Sequence, residues 1–198
     1  KLSNFPSKID CINGHNGKII TSIPLGKFAE KKFKAGFYQL HRNELISVLK
    51  NKIDKIGIKI NFNKQVYDLK QNSSSAILKL EKTYFHFDFI IGADGINSLT
   101  RQKFFYNNSP HFLNQVAYRT LIETNKLPER FSENKTLLLF GSGKHAVSYP
   151  IKKFSYTNFV FCIDSQGFQL DDWNKKVNPQ ELINNFSDFQ MLQDVFDK

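Results

Sequence analysis

The apolar run Phe87-Asp88-Phe89-Ile90-Ile91 ends abruptly in Gly92-Ala93-Asp94-Gly95, and Ser98 and Arg101 follow at three-residue steps. This order predicts a strand over Phe85–Ile91, a tight turn and a helix start. Gly92 and Gly95 let the backbone turn sharply and approach a ligand. Asp94 sits just past the carboxyl end of the strand, where α/β sheets bind ligands. Ser98 and Arg101 fall near a helix N-terminus, which favours phosphate. The same residues also fit a plain strand–turn–helix with a capping Asp, and their spacing alone leaves both readings open.

The surrounding pattern predicts α/β organisation with an all-β layer attached. Residues 1–40 read as short strands and turns, with Ile19–Ile23 a strand after the Asn16-Gly17 turn. His41–Ile56 reads as a helix, because Leu45, Leu49, Ile53 and Ile56, with Ile46 beside them, form a stripe at helical spacing. Gly57 stops it. Strands are expected at Ile58–Phe62, Val66–Leu69 and Ala76–Leu80, with a turn at Asn72–Ser75 and a short helix over about Ser98–Phe105. Beyond a linker at Asn107–Pro110, runs at Val116–Glu123, Thr136–Phe140, His145–Pro150 and Asn158–Ile163 are spaced like an antiparallel meander. Asn178, Pro179 and Glu181 mark a helix start. Leu182, Phe186 and Phe189 give that helix an apolar face, and it is expected to run nearly to Lys198.

Composition removes several alternatives. With 198 residues, 40% of them hydrophobic, the chain can bury a core and is not wholly disordered. No apolar run nears the roughly 18 residues that span a bilayer, and Lys1–Lys8 lacks a signal-peptide core. Cys11 and Cys162 show no CxxC spacing, so free thiols in a reducing cytoplasm are expected. The five His residues form no HxxxH or HExxH pair, so no metal site is expected. A net charge of +10 invites a nucleic-acid reading. However, the excess is mostly Lys in a chain also rich in Asn, Ile and Phe, as AT-rich codons produce. The densest basic stretch, Lys27, Lys31, Lys32 and Lys34 with Phe28, Phe33, Phe37 and Tyr38 between and beyond, reads as a solvated loop, and no nucleic-acid partner is expected. Arg occurs only at positions 42, 101, 119 and 130, which points to places that need its planar fork. Gly141–Lys144 looks like part of a phosphate loop, and Gly141-x-Gly143-x-x-Ala146 like a dinucleotide fingerprint. Val147, Tyr149 and Pro150 do not open a helix, so a hairpin turn is expected there.

Strand–GADG–xxS–xxR resembles the middle fingerprint of the FAD-dependent aromatic-ring hydroxylases, the single-component flavoprotein monooxygenases. His41-Arg42-Asn43-Glu44-Leu45 with Leu49 resembles the same family's helix start, where the Arg reaches the FAD phosphate and ribose. Val66 falls where the next strand sets a backbone group against the adenosine. Ala117-Tyr118-Arg119, followed by Gly141 to Pro150, resembles the salicylate hydroxylase group and its hydroxybenzoate and hydroxynicotinate relatives. In that group the His and Tyr of the hairpin face the aromatic substrate. His145 and Tyr149 are four apart on an expected strand and so share a face. Alone, the two residues also fit a pair packed on a sheet.

The resemblance implies an α/β fold: a partial FAD/NAD(P)-binding Rossmann-like domain with an attached antiparallel β-sheet substrate domain. Residues 1–106 are expected to form the partial FAD-binding domain, with some substrate-domain strands in 1–40. Residues 107–165 are expected to form the β-sheet substrate segment, and 166–198 a truncated helical segment. The implied activity is hydroxylation of a phenolic aromatic acid, with FAD as cofactor and NADH or NADPH and O2 as co-substrates. The implied catalytic residues are His145 and Tyr149, and the implied cofactor-binding residues are Arg42, Val66, Gly92, Asp94, Gly95, Ser98 and Arg101. A homodimer is allowed. Two other readings stay open: a ubiquinone-pathway hydroxylase or epoxidase of the same flavoprotein group, and a non-catalytic basic binding module. The family's N-terminal GxGxxG and C-terminal GD motifs do not occur here, and residue 1 is Lys while the single Met is Met191. The sequence is therefore expected to be an internal fragment, inactive by itself.

Overall fold

The computed structural model describes residues 3–105, 109–164 and 176–198. In chain order the elements are β1 (Lys8–Asn13), β2 (Ile19–Pro24), α1 (Lys27–Phe33), α2 (Arg42–Lys55), β3 (Val66–Gln71), β4 (Ala76–Leu80), β5 (Thr83–Phe87) and α3 (Leu99–Phe104). They continue with β6 (Gln115–Glu123), β7 (Thr136–Gly141), β8 (Lys144–Ile151), β9 (Tyr156–Asp164), α4 (Pro179–Asn185) and α5 (Gln193–Phe196). They form two compact units, Lys1–Lys52 with Asn114–Lys198, and Ile53–Leu113.

The larger unit is built on a six-stranded sheet in the order β2-β1-β7-β8-β9-β6. The expected meander is there: β7, β8 and β9 pair antiparallel in sequence, and β6 closes on β9. Gly143, at φ 63, makes the expected hairpin turn between β7 and β8. Strand β1 lies parallel to β7, with Ile9 opposite Thr136 and Asn13 opposite Phe140.

Alternation along the strands sorts the side chains onto two faces. Ile12, Leu137, Leu139, Ala146, Phe159 and Phe161 share one face and are buried. Phe186, Phe189, Leu192 and Val195 of the C-terminal segment join the same core. A single helix from Asn178 to near Lys198 does not form. Asn178 does cap α4, its side chain accepting from the Gln180 N–H at 3.0 Å. The chain then breaks and restarts as a 3-10 turn at Gln190–Leu192 and the short α5. Phe186 and Phe189 are both buried, and Gln193 Nε2 donates to the carbonyls of Ser187 and Phe189.

The basic stretch after Gly26 is a helix, α1, and not the loop expected. Ala29 is buried and holds its inner side. Lys34 ends the helix in the left-handed region at φ 56. Lys32 Nζ lies 5.6 and 5.5 Å from the ring centres of Phe28 and Phe33. The charges and rings that suggested a solvated loop thus satisfy one another on an exposed helix.

In the smaller unit β3, β4 and β5 form an antiparallel sheet. Asn72 Oδ1 accepts from the N–H groups of Ser74 and Ser75 and shapes the expected turn. Lys103 Nζ of α3 pairs with Asp68 of β3 at 2.9 Å. One expected strand is unpaired and another is paired only in part. β5 stops at Phe87, and Ile58–Phe62 and 88–91 run without ladder partners among the described residues. Phe89 and Ile91 are 89% and 91% exposed. Both segments carry a strand-like apolar pattern, but a strand needs a neighbour to accept its ladder, and among the described residues no ladder forms on either. Helix α2 shows the same condition: it forms close to the expected bounds, and none of its residues is buried.

Candidate functional site

The open face of the six-stranded sheet carries both residues expected to face a substrate. On β8, His145 stands opposite Phe140 and Cys162, Val147 opposite Leu138 and Val160, and Tyr149 opposite Asn158. All point away from the phenylalanine core. Four residues of strand set the Cα atoms of His145 and Tyr149 roughly 13 Å apart, with Val147 as floor between them. A cavity of about 400 Å³ opens over Ile9, Leu138, Val147 and Tyr149, and the segment Phe37–Leu40 with Thr136 completes its lining. Its size suits a small-molecule site. Tyr149 is thus in the cavity wall. His145 is on the same face beyond it, its ring 6.5 Å from that of Phe140.

Burial pushes the Tyr149 phenol up from its ordinary pKa, and the nearby Arg119 charge pulls back only part of that. The hydroxyl therefore stays protonated at neutral pH and can donate. Arg119 acts on Cys162 in the same sense, against the burial that raises that thiol. Arg119 pairs in register with Val160 and so joins the face of His145 and Tyr149. The sequence offered two signals for it, the scarcity of Arg and its place on an expected strand, but its face becomes visible only with the register. Its neighbour Tyr118 points to the other face and donates to Glu181 at 3.1 Å. The two thiols are unbonded. They lie on β1 and β9, with β7 and β8 between them, beyond disulfide reach.

In the smaller unit the GADG turn is built around Asp94. Its Oδ1 accepts from Ser98 Oγ at 2.6 Å, and its Oδ2 accepts from the N–H and Oγ1 of Thr100 at 3.1 and 3.2 Å. Ser98 Oγ in turn accepts from the Arg101 N–H at 3.0 Å and caps α3. These bonds, the one from Ser98 foremost, hold the Asp94 pKa down to about 2. Gly92 is required by packing, since a Cβ there would lie 2.5 Å from Thr100 Oγ1. Gly95 is required by conformation, at φ +79, and the space beyond it is open. The Arg101 guanidinium donates to the Ile96 carbonyl, while its Nε is buried without a partner. Val66 opens β3 opposite Leu80.

Arg42 is the first residue of α2. His41 caps that helix: its N–H donates to Glu44 Oε2 at 3.2 Å and its Nδ1 accepts from the Asn43 N–H at 3.3 Å. Within the smaller unit, an open glycine turn and an orphaned guanidinium N–H are groups that fit a phosphate. Among the described residues no cluster of three or more His, Cys, Asp or Glu could hold a metal ion. Likewise no helix is long and apolar enough to cross a membrane.

The depressed pKa of Asp94 makes the turn acid-sensitive. Its folded value of about 2 lies below the ordinary 3.8. The ionised carboxylate therefore contributes stability that is full above about pH 4 and lost as pH falls through about 2. Unfolding curves of the wild type and Asp94→Asn are expected to differ at pH 5 and to converge towards pH 2. A difference that stays constant with pH would count against this account of the turn.

No family model matches the chain. It is 27% identical over 161 residues to 3-hydroxybenzoate 6-hydroxylase 1 of Aquipseudomonas alcaligenes, covering 80% of this chain and 41% of that protein. It is 27% identical over 136 residues to salicylate hydroxylase asL1 of Sarocladium schorii, covering 64% and 28%. Among solved structures, a salicylate hydroxylase substrate complex superposes with a TM-score of 0.76 at 18% identity, covering 100% of this chain and 52% of that one. Klebsiella pneumoniae HpxO, solved with FAD and uric acid, superposes with a TM-score of 0.79 at 16% identity, covering 100% and 49%. The chain has the mixed α/β fold of FAD-binding monooxygenases and is a relative of the FAD-dependent aromatic-ring hydroxylases. Its relatives by sequence include hydroxybenzoate and salicylate hydroxylases, and it spans about two-fifths of the length of the first of them.

Proposed function

We propose that this chain supplies the substrate face and part of the cofactor-binding unit of a monooxygenase that hydroxylates a phenolic aromatic acid. The observation that carries the reading is the placement of His145 and Tyr149 on one open sheet face, with an apolar cavity at Tyr149. Arg42, Val66, Gly92, Asp94, Gly95, Ser98 and Arg101 are the residues that would hold FAD. Asp94 acts indirectly, since both its oxygens already brace the turn. Bound there and reduced by NADH or NADPH, FAD would supply the activation of O2 needed to transfer one oxygen atom to the ring, the other leaving as water.

The chain's own residues prepare the ring. A phenolate is richer in electrons than a phenol, and a ring nitrogen of His145 accepts the phenolic proton. The Tyr149 hydroxyl donates to the substrate's carboxylate or hydroxyl and fixes its orientation. Ile9, Leu138 and Val147 keep water from that end of the face. The need for NAD(P)H accords with a cytoplasmic setting, and a homodimer is compatible with this face lying within one chain. The test is turnover by the FAD-loaded protein that carries this chain. Given NADH or NADPH and a hydroxybenzoate, it is expected to form the dihydroxy acid, and failure with every monohydroxybenzoate isomer would overturn the reading.

A further inference from the structure

An aromatic acid brings a negative charge onto the open face, and an ionised carboxylate leaves water at a high cost unless a cation meets it. The residues that line the cavity beside Tyr149 include no Lys, Arg or His. Among the described residues, the six strands of the larger unit carry three Lys or Arg residues, Lys8, Arg119 and Lys144. Alternation sorts them between the faces. Lys8 shares the parity of Ile12, on the phenylalanine side, and pairs with Asp10 at 3.0 Å. Lys144 shares the parity of Ala146 and bonds the C-terminal segment at the Asn185 carbonyl and Asp188, each at 2.6 Å. Arg119 has the opposite parity to Tyr118 and Ile122, which pack against the phenylalanine core, so it stands on the open face and is exposed there.

Its place on that face is central. Arg119 is opposite Val160, and Val160 is opposite Val147, the residue between His145 and Tyr149. With neighbouring strands about 4.8 Å apart, its backbone lies roughly 10 Å from that of β8. A long side chain from one strand and a ring held over the other close that gap. The guanidinium charge acts on Tyr149 and also on Cys162, the residue opposite His145, in each case against the burial that raises the group. It therefore reaches both ends of the pair that handles the ring. The chain takes most of its positive charge from Lys and has Arg at four positions. At this one a planar fork matches the two oxygens of a carboxylate as an ammonium does not.

We propose that Arg119 is a specificity-determining residue that holds the carboxylate of the aromatic acid and so selects acids over neutral phenols. The inference rests on the reading of this face as the ring site. Three groups of different kinds then meet the ring. Arg119 takes the carboxylate, a ring nitrogen of His145 takes the phenolic proton, and the Tyr149 hydroxyl donates to one of the oxygens between them. A neutral ring of the same shape keeps the last two partners and loses the first.

The test titrates the FAD-loaded protein that carries this chain, by calorimetry, with the monohydroxybenzoate isomer it hydroxylates and with the matching hydroxybenzamide, which has the same ring and phenol and no charge. The wild type is expected to bind the acid about tenfold or more tightly than the amide, the range hydrogen bonds to a charged group supply. Arg119→Gln is expected to weaken the acid by about ten- to a hundredfold and the amide by less than about threefold. Arg119→Lys, which keeps the charge without the fork, is expected to recover part of the acid's affinity. Arg119→Met repeats the measurement if the glutamine variant loses its flavin. Equal changes for acid and amide, an acid affinity that the glutamine and methionine variants leave unchanged, no recovery with lysine, or a wild type without preference overturns the role of Arg119. In each of those cases continued hydroxylation of the acid leaves the proposed function standing. If the wild type neither binds nor hydroxylates any monohydroxybenzoate isomer, the proposed function falls and this inference falls with it.

Discussion

On the proposed function, alanine at position 145 is expected to lower ring hydroxylation by about a hundred- to ten-thousandfold, the contribution a positioned general base makes, while the protein that carries this chain keeps its FAD. His145 is not part of the phenylalanine core. It lies on the open face opposite Cys162, with the Phe140 ring as neighbour. Removing its imidazole therefore leaves the sheet intact. A structural role and a catalytic one predict different observations. A base that accepts the phenolic proton acts on the chemical step, so His145→Ala is expected to lower kcat with little change in KM. The flavin absorbance of the variant reports whether cofactor is retained. Unchanged turnover removes His145 from the mechanism. A parallel loss of flavin assigns it to folding.

Alanine at position 189 lowers the stability of the larger unit by about 3–5 kcal/mol, as for other buried Phe→Ala changes. Phe189 is completely buried. Its ring meets Phe186 edge-on at 5.2 Å and His15 at 5.6 Å, and Lys144 Nζ stands 5.3 Å from its centre. Gly14 and Gly141 press against it so closely that a Cβ would come within 2.5 and 2.6 Å. Neither glycine has a side chain that could fill the space left by the ring, so the cavity persists. Polar ties reinforce the seat: Lys144 Nζ bonds the Asn185 carbonyl and Asp188, each at 2.6 Å, and His15 lies 3.3 Å from Asp188. Partial burial raises the Asp188 carboxyl, but the Lys144 hydrogen bond and the Lys144 and His15 charges outweigh it and leave its pKa lowered. Urea unfolding measures the effect, and a loss below about 1 kcal/mol would contradict this account of how the C-terminal segment is held.

The legible parts of the fold were those whose signal is local. The meander strands, the Asn72 turn, the Asn178 cap and the Gly141–Lys144 hairpin each depend on neighbours in sequence, and each forms where expected. Elements that depend on distant partners were read less well. Ile58–Phe62 and Phe89–Ile91 have the composition of strands but no ladder partner among the described residues, so composition alone overstates them. The basic stretch at Lys27–Phe33 looked like a loop because Gly26 and Gly36 bracket it, and only the burial of Ala29 shows why it coils into a helix. Periodicity extends the C-terminal helix too far, because the spacing of Phe186 and Phe189 suits an unbroken helix and no Gly or Pro marks the break after Asn185.

The site divides in the same way. The shared face of His145 and Tyr149 follows from counting along one strand. Arg119 and Gln39 reach that face through cross-strand register and the folding back of residues 37–40, which no spacing within one segment encodes.

The most direct test of the account is the fate of labelled oxygen. The FAD-loaded protein carrying this chain is supplied with 18O2, NADH or NADPH and 3-hydroxybenzoate or salicylate, and the products are weighed by mass spectrometry. The account predicts a dihydroxy acid with one 18O atom in the new hydroxyl, formed only when reduced nicotinamide and the aromatic acid are both present. Oxygen consumption that yields peroxide and no labelled ring product with either acid would contradict it.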